Sequence, residues 1–173
     1  MLINIGPSKE PSDIVDLLLE CHERIRLFIG LARRMAEAQH ASKDEVQDAA
    51  ARVCRYFSEA LPLHVADEEE SIMPRLSGRR REVDSALDAM RRQHKTHESG
   101  LEQLLQTCRL LELFPERFDE RRESLRRVAA ELERDLNTHL REEEAVVVPA
   151  IRSLLTAEER EAMLSEFRAR RSR

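Results

Sequence analysis

His64-Val-Ala-Asp-Glu68, running on to Pro74, is followed downstream by a near-copy, His139-Leu-Arg-Glu-Glu143, running on to Pro149. In each segment a Glu follows the His at i+4, a spacing that puts both side chains on one face of an α-helix, about 6 Å apart along its axis. A His and a Glu so placed can turn toward one point. The reading that organises the chain is that these two segments are half of a metal site, with the remaining helices as its scaffold.

The segments sit inside longer apolar stripes. Val46, Ala49, Ala50, Val53, Phe57, Leu61, His64, Glu68 and Ile72 recur at helical steps, as do Leu125, Val128, Leu132, Leu136, His139, Glu143 and Val146. Two further stripes flank them. Ile14, Leu17, Leu18, Cys21, Ile25, Phe28, Ile29, Ala32 and Met35 form one, with His22 at its edge and Ser12 as the expected N-cap. Val83, Leu87, Met90, His94, His97, Leu101, Leu104, Cys108 and Leu111 form the other, with two His where Leu would be expected. Ser42–Glu45 and Thr156–Glu159 read as capping boxes. The second opens a short fifth helix, about residues 157–170, with Met163, Leu164 and Phe167 as its apolar face. Pro62 should kink or loosen its helix just before His64, Pro74 with Ser77-Gly78 should end that helix, and Pro149 should end or bend the fourth.

Four long stripes joined by short connections predict an all-α, up-down-up-down antiparallel four-helix bundle, with its core over about 13–150 and the short C-terminal helix appended. We read residues 1–173 as a single domain. The first helical pair resembles the second, since His22 relates to His94 much as His64 relates to His139, so the bundle reads as a duplicated hairpin.

Antiparallel neighbours at equal depth are centred on the connection between them. The residue midway between His22 and His64 is Lys43, in the first capping box. Midway between His64 and His94 is Arg79, in the Ser77–Arg81 connection, and the midpoint of His94 and His139 falls beside Pro115. Each helix therefore brings one His to a common depth. Four buried imidazoles and two carboxylates without a partner would cost several kcal/mol, and a metal removes most of that cost.

His22, His64, His94, His139, Glu68 and Glu143 are too many donors for one tetrahedral zinc. Shared between two ions, with the Glu carboxylates as bridges, they leave one or two open positions on each. Mixed imidazole and carboxylate ligands with open positions suit non-haem iron, and manganese or zinc would also fit them. His97, on the core row, is a further candidate ligand or ligand partner, with Glu98 as its competitor. Asp67, Glu69, Glu70, Glu142 and Glu144 read as a solvated acidic face, Tyr56 as core packing, and Met90 as a residue lining the metal pocket.

The combined pattern H…H-x-x-x-E…H…H-x-x-x-E resembles the hemerythrin-like family of His-His-Glu (HHE) cation-binding domains, nearer its four-His, two-Glu members. The resemblance covers roughly residues 13–150. It implies a four-helix bundle around two iron ions bridged by oxo or hydroxo groups. It also implies reversible O2 binding, or roles in O2, NO or iron sensing, or a redox enzyme handling peroxide or NO or repairing iron–sulfur clusters. The oxygen-carrying members have H-x-x-x-H on the third helix, whereas position 98 here is Glu and the extra His is His97. A metal-free helical interaction module is the remaining alternative.

Composition narrows the partners. A net charge of −5 with both signs interspersed is not a nucleic-acid footprint, which needs a basic face. Cys21, Cys54 and Cys108 are far apart and odd in number, pointing to a reducing cytoplasm. No apolar run is long enough for a membrane span and the N-terminus has no signal-peptide pattern. A small diatomic ligand, O2 or NO, is the expected partner, and no nucleic acid or membrane is expected.

Overall fold

In a computed structural model, residues 13–172 are described. They form five helices: α1 Ile14–Glu37, α2 over residues 43–76, α3 Arg81–Leu113, α4 Phe118–Leu154 and α5 Ala157–Arg171. A 3₁₀ turn, Pro115–Arg117, joins α3 to α4. Helix α1 packs on α2 and α4, and α3 packs on α2 and α4, which closes the antiparallel bundle. None of these helices is long and apolar enough to cross a membrane. The expected cap at Ser12 lies outside the described residues; Asp13 occupies the N-cap position of α1 without a side-chain cap bond.

The helix ends follow from local chemistry. Ser42 and Thr156 each accept from the backbone N–H three residues on, while Glu45 and Glu159 return the contact, so both capping boxes form. Gly78 ends the α2–α3 hairpin with φ +76°, the left-handed backbone that favours glycine. Helix α4 does not end at Pro149 but runs on to Leu154.

Helix α2 is not uniform. It passes through Lys43–Arg55 (α), Tyr56–Ala60 (π), Leu61–Ala66 (α), Asp67–Ile72 (π) and Met73–Leu76 (α). Each π turn is closed by the N–H of the residue that precedes a proline. The N–H of Leu61, preceding Pro62, bonds the Tyr56 carbonyl, and the N–H of Met73, preceding Pro74, bonds the Glu68 carbonyl. A proline removes an N–H and its ring crowds the carbonyl four residues back, and a wider turn relieves both. The loosening expected at Pro62 therefore occurs twice, and the two wide turns flank the segment that carries His64.

The apolar core is two clusters, not one. The first runs from Ile25 to Met35 on α1 and includes Val53, Phe57 and Leu61 of α2, Leu104 and Leu111 of α3, and Leu125 to Leu140 of α4. The second gathers Ile14 to Leu18, Ile72 to Leu76, Val83 to Met90, Val147 to Ile151, and Met163 and Phe167 of α5. Each bundle helix crosses from one cluster to the other at its His or Glu, so a polar layer spans the bundle between two apolar halves.

Candidate metal centre

The polar layer holds His22, His64, Glu68, His139 and Glu143, all at most 3% exposed, with His94 slightly more open. They converge as two groups, in each of which the potential ligand atoms lie within 4.8 Å of one another. One is His22, His64, Glu68 and Glu143; the other is Glu68, His94 and His139. Glu68 belongs to both. Its Oε1 is 2.9 Å from His64 Nε2 and its Oε2 is 3.0 Å from His94 Nε2. Glu143 Oε2 is 3.1 Å from His22 Nε2 and 4.0 Å from His139 Nε2. The two H-x-x-x-E segments are therefore not equivalent: Glu68, on the second π turn, faces both groups, whereas Glu143 joins the first.

The approach of these atoms is not hydrogen bonding. Nε2 of His22, His64 and His94 and both oxygens of Glu68 and Glu143 have no hydrogen-bond partner although they are buried. Buried polar atoms are ordinarily satisfied, so this many orphans aimed at one place form a donor set in want of a cation.

The outer nitrogens explain how the rings are held. His22 Nδ1 is 2.9 Å from Glu144 Oε1, which also accepts from Arg26, and His94 Nδ1 is 2.9 Å from Glu69 Oε1. His139 Nδ1 lies 2.8 Å from Gln93 Oε1, and Gln93 in turn donates to Glu142. Carboxylate and amide oxygens only accept, so each Nδ1 carries the proton and each Nε2 presents a lone pair to the centre. Cys21 occupies, in the first hairpin, the place of Gln93 in the second. Burial would raise its thiol, but His64 and Arg171 beside it hold it below the ordinary value.

The acidic residues expected to be a solvated face thus divide. Glu69 and Glu144 orient His rings on other helices, and Asp67 is fully buried. Helix α5 is the cause of that burial. It lies over the second π turn and sends Arg170 Nη1 to Asp67 Oδ1 at 2.8 Å and Arg171 Nη2 to Asp67 Oδ2 at 2.6 Å. Arg75 and Ser71 reach back to Glu166 of α5. The clue to the orienting acids lay in the sequence: in both segments the Glu at i+4 is followed at once by a second Glu.

The ionisable groups pull against one another. Burial, with the adjoining Glu68 charge, pushes the Glu143 carboxyl up to about 7. Burial alone would raise Glu68 too, but the surrounding imidazoles, His64 foremost, hold it well below the usual carboxylate range. Burial pushes His139 down to about 4. Burial acts to lower His22 as well, yet Glu143 raises it above its ordinary value. A cation in each of the two groups would satisfy both carboxylates and the lone pairs facing them.

His97 is placed in neither group. It is 6% exposed, its ring lies edge-on to His139 at 5.7 Å, and among the described residues nothing hydrogen-bonds to it. It lines a cavity of about 370 Å³ that opens onto Glu68, His94 and His139. Glu98 stands on the rim of the same cavity. Met90 does not line it; it packs in the second apolar cluster, one turn along α3 and behind Glu143. Tyr56 is buried, stacks on Phe28 and donates to the Cys21 carbonyl, a packing role as expected.

The family model described as the hemerythrin HHE cation binding domain matches residues 13–151. No curated protein matches the chain significantly.

Proposed function

We propose that this chain, which belongs to the hemerythrin HHE cation-binding family, holds two non-haem iron ions and uses them to bind or sense a small ligand, O2 or NO. His22, His64 and Glu143 would hold one ion, His94 and His139 the other, and Glu68 would bridge them. Bound there, iron supplies a redox-active Lewis acid with open positions. The carrying observation is that Glu68 turns one unsatisfied oxygen toward each of two His groups. The chain's own contribution is orientation. Glu144, Glu69 and Gln93 fix the tautomers, and the two apolar clusters border the layer on either side. Manganese or zinc would suit the same donors. The cytoplasm, as a reducing compartment, suits the three buried free thiols.

The test is anaerobic purification with metal analysis. The expected result is about two ions per chain and a near-ultraviolet spectrum that responds to O2, NO and reductant. His139→Ala and Glu143→Ala should each lose metal and melt at lower temperature, because metal held only by the folded state stabilises it. If both variants keep the full metal content, this ligand set is wrong. An iron-loaded sample whose spectrum ignores O2, NO and reductant would sink the ligand reading.

A further inference from the structure

The cavity beside the centre is larger than a diatomic ligand needs. Its volume of about 370 Å³ corresponds to roughly a dozen waters, at about 30 Å³ each, and falls in the range of organic-ligand pockets. Two ions at the His end would take only part of it, since the cavity runs outward between α2 and α3 to Lys95 and Glu98.

Its lining combines polar and apolar side chains. Its polar end presents Glu68, His94 and His139, the group with fewer donors and so the one with more open positions, together with His64 of the other group. Next to it stands His97, buried and, among the described residues, without a hydrogen-bond partner. The remaining walls are largely aliphatic and aromatic, among them Phe57, Leu61, Val65, Leu101 and Leu136. At the rim, Lys95 is set among Glu69 and Glu98, a net charge of −1, so any preference for an anion has to come from the inner end and not from the mouth.

Charge at the inner end does select. Four neutral imidazoles and two carboxylates around two divalent ions leave an excess of positive charge, which favours an anionic oxygen as the next ligand. An ammonium head would be repelled there. An anionic head with no body would leave the apolar walls uncovered.

We propose that this cavity binds an aliphatic carboxylate of about four to eight carbons, with its carboxylate between His97 and the Glu68–His94–His139 group and its chain along Val65, Leu101 and Leu136. The proposal rests on the metal pair proposed above. His97 is then a hydrogen-bond donor to the bound head and not a metal ligand, which accounts for a buried imidazole that the donor set does not use.

The experiment titrates metal-loaded protein with hexanoate, acetate and azide, following the spectrum of the centre and, independently, the heat of binding. Metal content is measured first. Hexanoate is expected to bind at least about tenfold more tightly than acetate, because four further methylenes enter the apolar part. Leu101→Trp, which fills that part, should abolish the difference while azide binds as before; Val65→Phe, from the opposite wall, provides a second blocking variant should the first fail to fold. His97→Leu should weaken hexanoate about fivefold with metal content unchanged. Loaded protein that binds hexanoate no better than acetate, or blocked variants that keep the preference, would overturn the cavity assignment alone. A chain that takes up no metal overturns both this proposal and the metal pair, and the initial metal analysis tells the two failures apart.

Discussion

Glu143 is the residue on which the metal-free layer bears hardest, since burial and the Glu68 charge raise its carboxyl to about 7. A folded-state value above the ordinary carboxylate value means that its contribution to stability is full below the unfolded value and is lost as pH rises through about 7. The melting temperature of the metal-free protein should therefore fall between about pH 5 and 8 by an amount that Glu143→Gln reduces, while the loaded protein lacks that fall. A metal-free Glu143→Gln with an unchanged pH profile of melting would refute this assignment of charge. At this scale the converging residues were legible, and their orienting partners left only a trace, the second Glu that follows Glu68 and Glu143. His22, His64, His94 and His139 stand out because imidazoles interrupt apolar stripes at one depth. Glu69 and Glu144 look like members of acidic runs, and only tertiary packing brings them to His94 and His22. His97 is the candidate that neither group includes: the stripe places it on the core row, and a row does not distinguish an atom facing a metal from a ring forming the wall of a cavity.

Helix α2 and helix α5 act as a pair. The second π turn carries Asp67 outward toward α5 and Glu68 inward toward the centre, and α5 clamps the turn through Arg170 and Arg171. Replacing both arginines by Ala leaves Asp67 buried without a cation, at a cost of about 3 kcal/mol. In a chain of this size that corresponds to a melting temperature roughly 6–12 °C lower. Adding Asp67→Asn should return much of the loss, and metal affinity should drop in the double variant because Glu68 shares the released turn. Calorimetry and metal titration of the three proteins check this; a double variant as stable as the parent would show that the clamp contributes nothing. The wide turns were partly legible, as Pro62 and Pro74 demand some relief. The burial of Asp67 was not, because it depends on where a helix almost a hundred residues later folds back. Pro149 shows the limit of the proline rule: a helix held along its length by packing continues through it to Leu154.

For the molecule as a whole, the stripes and connections were enough to predict the up-down-up-down bundle, since helical periodicity and short loops leave few other arrangements. They did not reveal that the core is divided. The stripe residues on either side of each His look alike in the sequence, yet they belong to separate clusters, with α5 completing the second. That division bears on cooperativity. Two apolar halves that meet only at a polar layer need not unfold together unless something ties the layer, and metal ligands drawn from all four bundle helices would be such a tie. The loaded protein should melt in one calorimetric transition whose enthalpy equals its van't Hoff value, and the chelated protein in a broader one whose calorimetric enthalpy exceeds it. The half containing α5 and both chain ends of the bundle, lacking the long packed run of the other, should exchange its amide hydrogens first. The metal in this fold would then be more than a reactive group: it would be what makes two small proteins, stacked end to end, behave as one.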